Sequence, residues 1–169
     1  MIFSASATHA LRAMSCLAGG QQSQPVLGRD LAKRIGVPAH YLAKVLASMA
    51  RTGLLSAVRG AKGGYRLARP ANRISLIEVV LPFEGQRALP GCLLRPGKPC
   101  RDSMACSAHS AWGVMKRTYT DFLEKTTVAD ISGGDPAFLA EAARGMRRPA
   151  AGARQGRSAP RKKRLGKRP

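Results

Sequence analysis

The sequence predicts a mainly α-helical domain with one small β-hairpin and a long final helix, and three observations predict it. Apolar residues recur at three- and four-residue spacing along most of the first 81 positions, the period of an amphipathic helix. Between Leu54 and Leu67 the period changes: Leu-Leu-Ser-Ala-Val, a turn with three glycines and Tyr-Arg-Leu read as two strands and their connection. Further on, Ala108, Trp112, Met115, Tyr119 and Phe122 follow at 4-3-4-3 spacing, a narrow seam suited to another helix. With 169 residues, 44% of them hydrophobic and 5% aromatic, the chain can bury one domain's core, built mostly of Leu, Ala, Val, Ile and Met.

Ser4 to Ala18 is predicted as the first helix, with Leu11, Met14 and Leu17/Ala18 on one face and Gly19-Gly20 as its stop. Cys16 within it is expected as a small core residue. A short helix from Gly28 turns Leu31, Ala32 and Ile35 inward and ends at Gly36, where glycine supplies the left-handed conformation of a helix C-terminus. Val37-Pro38 makes the turn into a helix from about Ala39 to Thr52, with Leu42, Val45, Leu46 and Met49 as its inward stripe. The hairpin occupies 54–67. Ser75 to Leu81 is predicted as a short helix with Ser75 and Glu78 as its capping box and Pro82 as its end.

Residues 84–104 have no periodicity, and so long a loop in a compact domain is expected to serve a purpose. A helix resumes over Ala105 to Lys125, and Ala129 to Ile131 closes a domain spanning 1–131. Residues 132–144 form a short segment, helical over 136–143, and 145–169 are so rich in Arg, Lys, Pro, Gly and Ala that a disordered basic tail is expected.

The formal net charge is +20, and half of it lies in residues 1–140, so the folded part is basic in its own right. Such a field favours a polyanionic partner, above all nucleic acid. Two short helices joined by Gly-Val-Pro form a helix-turn-helix, whose second helix enters the DNA major groove through its first turns. Its outward residues are His40, Tyr41, Lys44, Ser48 and Arg51, and no carboxylate lies between Ala39 and Arg51. The hairpin that follows, Arg59-Gly-Ala-Lys62-Gly63-Gly64-Tyr65, is a basic wing. Its glycines allow close backbone approach, while Arg59 and Lys62 suit phosphates or a narrow minor groove. These features make the expected partner double-stranded DNA. The rival from another class is an architectural protein that binds nucleic acid by charge alone, with steep salt dependence and no sequence preference.

Leu31-Ala32, Gly36-Val37, Tyr41-Leu42, Gly53-Leu54-Leu55, Val58-Arg59-Gly60 and Gly63-Gly64-Tyr65-Arg66-Leu67 resemble the IscR/NsrR/RirA family of bacterial winged-helix regulators. The similarity continues through Ile74-Ser-Leu-Ile-Glu-Val-Val80, the cysteine loop and Thr126-Thr-Val-Ala-Asp-Ile131, about residues 1–131 in all. The resemblance implies a homodimeric transcription factor, mostly a repressor, acting on a palindromic operator. It implies that 105–125 is the dimerisation helix and that Cys92, Cys100 and Cys106 bind an iron–sulfur cluster. His9 stands where many members carry Tyr or Leu, and the tail past Arg144 has no counterpart in the family pattern.

The chemistry of the loop agrees with that implication. Cys92-x7-Cys100-x5-Cys106-x2-His109 offers three soft thiolate ligands and, three residues on, a histidine placed as the fourth. Arg95, Lys98 and Arg101 favour the thiolate form and offset its charge. In IscR-like members such a histidine serves a two-iron cluster. NsrR-like members use a carboxylate of the partner subunit's first helix, but the matching residue here is Thr8, a poor ligand. The x7 spacing is closer to the RirA branch. A two-iron or a four-iron cluster, zinc on the same four residues and a metal-free disulfide switch are all compatible with these donors.

No run of 18 apolar residues is present to span a membrane. Export is not expected either, because Met1 to Gly20 lacks a basic n-region and His9 and Arg12 interrupt it. The expected compartment is the cytoplasm, where thiols stay reduced. No nucleophile–base pair or phosphate-binding loop points to an enzyme: His9, His40 and His109 lie on different elements, and Gly60 to Gly64 lacks the spacing of a phosphate loop.

Overall fold

A computed structural model describes residues 3–20, 24–60, 63–95 and 98–133. Lys62, the helix expected at 136–143 and the tail at 145–169 lie outside the described residues. Five helices and one hairpin make up the described fold: α1 (Ala5–Ala18), α2 (Gly28–Ile35), α3 (Ala39–Arg51), β1 (Leu55–Val58), β2 (Gly64–Leu67), α4 (Leu76–Glu84) and α5 (His109–Lys125). This is the mainly α-helical, winged helix-turn-helix architecture with a long last helix.

Each boundary has a local cause. Ser4 caps α1 by accepting from the Ala7 N–H (3.2 Å). Gly36 takes φ 67° after α2, which lets the Val37 N–H return to the Ala32 carbonyl (3.0 Å) and turns the chain sharply into α3. In the two-stranded antiparallel sheet Leu55 faces Leu67 and Val58 faces Gly64. Val26 adds a third, single-residue rung, exchanging both backbone bonds with Tyr65 at 2.9 Å each. At α4 the Glu78 carboxylate accepts from the Ser75 N–H (3.0 Å) and hydroxyl (3.2 Å), the reciprocal arm of the expected capping box.

Two expected boundaries are corrected. Pro82 does not end α4, which runs on to Glu84. A proline this near the end forfeits only the bond to the Glu78 carbonyl, and the stop falls instead at Gly85, whose φ is 55°. The last helix begins at His109 rather than Ala105, because Asp102–Met104 form a 3-10 turn and the His109 N–H is taken by the Cys106 carbonyl (2.9 Å).

The core has two parts that share α1. One joins Met14 and Leu17 of α1 to Leu31 and Ile35 of α2, Leu42, Leu46 and Met49 of α3, and Leu55 at the base of the wing. The other places Ala7 of α1 against Leu76 and Val80 of α4 and Leu123 of α5. Leu123, fully buried, anchors α5, whereas Val114, Met115 and Phe122 are 56%, 40% and 53% exposed. The expected seam is therefore divided. Tyr119 packs inward beside Leu123, while Met115 and Phe122 leave an apolar face that nothing among the described residues covers. After α5 the chain returns to the start of α4, where Val128 is buried and donates to the Ile74 carbonyl (2.8 Å). Among the described residues no helix is long and apolar enough to cross a membrane.

Candidate DNA interface and cysteine loop

On α3 the four apolar residues Leu42, Val45, Leu46 and Met49 are buried, which fixes the helix's rotation and leaves His40, Lys44 and Arg51 exposed and Ser48 half-exposed. Arg59 and Arg66 are exposed on the wing, and Arg29, Lys33 and Arg34 on α2. The helix-turn-helix and wing thus expose cations on α2, α3 and β2. Arg66 and the α2 cations were missed by reading motifs alone. The period-two alternation of Tyr65-Arg66-Leu67 carries the signal for Arg66, since its neighbours are the inward ones.

Three residues expected at the DNA surface have a second use inside the protein. The Tyr41 hydroxyl lies 2.8 Å from Ser6 Oγ, and its ring meets His9 edge to face with centroids 5.6 Å apart. Gly63 is buried, and a Cβ there would fall 2.3 Å from the Val58 carbonyl oxygen. At Gly64, with φ 148°, a Cβ would fall 2.4 Å from the Val26 carbonyl oxygen. These two glycines close the hairpin and seat it on Val26, so their absent side chains serve the wing's own packing. The Tyr65 ring lies over Gly28.

The cysteine loop leaves α4 at Gly85 and rejoins the helices at α5. Two bonds give it shape: the Cys92 N–H donates to the Lys98 carbonyl (2.8 Å), and the Trp112 indole donates to the Gly91 carbonyl (2.8 Å). The four cysteines are unpaired thiols, each half-buried. Cys92 and Cys100 are in hydrogen-bond contact. The backbone N–H of Leu94, outweighing burial, and that of Arg95 hold the Cys92 thiol below its ordinary range. Burial, and then the bond and charge of Cys92, push Cys100 up; Lys116 acts against this, and Cys106 adds to it. Thus two thiols touch and the third is near enough to be felt. His109 instead turns Nε2 to Asp102 Oδ1 (2.8 Å). Among the described residues no three Cys, His, Asp or Glu side chains are gathered closely enough to hold a metal ion. The donor types suit iron–sulfur or zinc, and a carboxylate on Nε2 is the usual support for a histidine that ligates through its other ring nitrogen.

Between this loop and α5 lies a cavity of about 460 Å³, bordered by Leu89, Cys100, Asp102, His109, Lys116 and Arg117.

Comparison with known proteins agrees with this architecture. Residues 3–133 match the Rrf2 family model, described as an iron-dependent transcriptional regulator. An HTH-type transcriptional regulator of Aquifex aeolicus is 31% identical over 133 residues, covering 78% of this chain and 91% of that protein. The HTH-type transcriptional regulator IscR of Pectobacterium carotovorum is 30% identical, covering 73% of this chain and 74% of its own length. Among solved structures, IscR of T. potens superposes with a TM-score of 0.59 at 26% identity, covering 86% of this chain and 91% of that one. CymR, the global cysteine regulator of B. subtilis, shares the fold with a TM-score of 0.66 at 23% identity, over 79% and 98% of the two chains. These relatives are regulators rather than enzymes, and this chain belongs to the Rrf2 family of DNA-binding winged-helix transcriptional regulators.

Proposed function

We propose that the protein is a sequence-specific transcriptional repressor that binds a palindromic operator as a homodimer, and that an iron–sulfur cluster held by Cys92, Cys100 and Cys106 sets its DNA affinity. One observation carries this reading. The loop with all three thiols is tied by Trp112 to α5, and α5 presents the only large uncovered apolar helix face among the described residues. A partner's α5 packed on Val114, Met115 and Phe122 would place two recognition helices in one particle, the arrangement that reads half-sites about one DNA turn, ~34–36 Å, apart. A cluster supplies a group that redox state, nitric oxide or iron supply can alter. The chain's own residues do the rest. Leu94 and Arg95 stabilise the Cys92 thiolate, Lys116 favours the thiolate form of Cys100, and His109 is the candidate fourth ligand. A change in the loop is thereby passed to α5 and to the spacing of the recognition helices.

The contact between Cys92 and Cys100 also favours a second reading, a metal-free regulator of the same fold in which a two-electron oxidant such as a peroxide takes these two thiols to a disulfide, being itself reduced and taking up their two protons. Anaerobic purification separates the two. A cluster gives visible absorbance and a Mössbauer spectrum, while zinc or bare thiols give no colour. Footprinting on the protein's own promoter tests the DNA half, and a palindromic protected site is expected. Diffuse binding with steep salt dependence would instead mark a charge-only binder.

A further inference from the structure

The first helix contributes to both parts of the core, and its residues Ser6, His9 and Arg12 face the helix-turn-helix in an ordered row. Ser6, His9 and Arg12 recur every three residues, so they share one face of α1. Ser6 Oγ meets the Tyr41 hydroxyl at 2.8 Å, and His9 meets the Tyr41 ring edge to face at 5.6 Å. Tyr41 lies in the first turn of the recognition helix, the part that enters the groove. Arg12, only 6% exposed, donates from Nη2 to the Ile35 carbonyl at the end of α2 (2.7 Å). That carbonyl sits at the negative end of the α2 dipole, where a buried guanidinium is well placed. One face of α1 thus grips both helices of the DNA-reading pair, α2 at its end and α3 at its start.

The start of α1 is tied to the other half of the protein. The Ser4 N–H donates to Glu84 Oε1 (2.6 Å) at the last residue of α4, and the Phe3 ring lies 6.5 Å from that of Tyr119 on α5. The helix therefore bridges the elements that flank the cysteine loop and the helix that faces DNA.

We infer that Ser6, His9 and Arg12 form a positioning surface on α1 that sets the angle at which the recognition helix is presented, with Tyr41 as the residue through which Ser6 and His9 act. This rests on the reading of α3 as the DNA-contacting helix. It assigns Tyr41's hydroxyl to an internal contact rather than to a base or phosphate. A single well-made hydrogen bond is worth roughly a three- to tenfold change in an equilibrium, so the effect is measurable.

The test is a double-mutant cycle on the full chain. Its probe is a DNA duplex selected from random sequence by the wild-type protein. Ser6→Ala and Tyr41→Phe are each expected to lower affinity for that duplex about three- to tenfold, and the double variant no further, because both remove the same bond. Affinity for a scrambled duplex should stay within error of wild type, and the melting temperature should fall by no more than the few degrees that one lost hydrogen bond costs, a drop that a general loss of structure would exceed. His9→Ala should weaken selection of the duplex over its scrambled form, and His9→Phe should restore it by keeping the ring contact. Arg59→Ala, on the wing, is the control for the DNA interface itself. If it weakens binding while Ser6→Ala is silent and Tyr41→Phe is not, the hydroxyl touches DNA directly and the inference is wrong. Additive losses in the double variant, or silence of Ser6→Ala and Tyr41→Phe alike, would overturn it too. If Arg59→Ala is also silent, the DNA face has been misplaced and both readings fall.

Discussion

The DNA-reading half and the cysteine loop are built on opposite plans. In the helix-turn-helix and wing, position follows from packing. Leu31, Ile35, Leu42, Leu46 and Met49 are fully buried, Gly64 lies against the Val26 backbone, and the outward residues are outward because the inward ones have no choice. In the cysteine loop, Leu93 and Leu94 are 50% and 69% exposed, the thiols are half-buried, and hydrogen bonds rather than packing do the shaping. The first region carries its geometry in its own side chains. The second has its donors in place but lacks the contacts that would gather them, as expected of a segment completed by a ligand or a partner.

The contrast can be attacked at the joint between the halves. Leu123 is α5's one fully buried side chain, so Leu123→Ala should cost about 2–5 kcal/mol in thermal or urea unfolding. It should also release the loop's support. A much smaller loss would mean that α5 is held from elsewhere. Within the packed half, Gly64→Ala places a Cβ 2.4 Å from the Val26 carbonyl oxygen at a φ that side chains avoid. A loss of roughly 1–3 kcal/mol is expected, along with the wing's contribution to DNA binding. Unfolding and gel-shift titrations check the two parts separately.

On the loop side the effects are smaller and more local. Trp112→Phe keeps the ring but removes the bond to the Gly91 carbonyl, at roughly 0.5–1.5 kcal/mol. Amide exchange should rise in 89–106 and stay unchanged in α2 and α3; equal protection throughout would count against the tie. The smallest effect is the pH dependence of Glu78. Burial alone would raise its pKa, but bonds from Arg69 and Ser75 outweigh this and hold it below the ordinary carboxylate value. The resulting stabilisation is present above the unfolded value and fades as pH falls through the depressed folded one. Because Arg69 and Glu78 are 41% and 38% exposed, it amounts to about 0–1 kcal/mol. Glu78→Gln should flatten that acid limb by lowering stability at neutral pH by the same small amount, while the acid end stays nearly unchanged.

What was legible in the sequence follows the same division. Every inward residue expected on α2 and α3 is buried, because a 3.6-residue period with glycine stops leaves few alternatives. Pro82 was misplaced as a stop because its cost depends on how few bonds remain to lose, a property of the end it sits in. Leu123 was overlooked because the 4-3-4-3 seam drew the eye to Met115 and Phe122, and only the tertiary arrangement shows which side of α5 meets the protomer's own core. Gly63 and Gly64 were legible as wing glycines, but not the partners that require them, since Val58 and Val26 approach through backbone atoms. For the cysteines, spacing named the donors but not the contact between Cys92 and Cys100, which the turn at Leu94 and Arg95 brings about.

The most direct test compares the operator affinity of one preparation in its cluster-loaded form and after anaerobic removal of iron, with dimer content matched. The account predicts a difference of roughly 5–150-fold, the range of an ordinary coupling between two sites. It also predicts that Cys92→Ser, Cys100→Ser and Cys106→Ser each give the apo value without lowering the melting temperature of the helix-turn-helix half. Equal affinity in both forms would contradict it, leaving a winged-helix regulator whose cysteine loop does something other than control DNA binding.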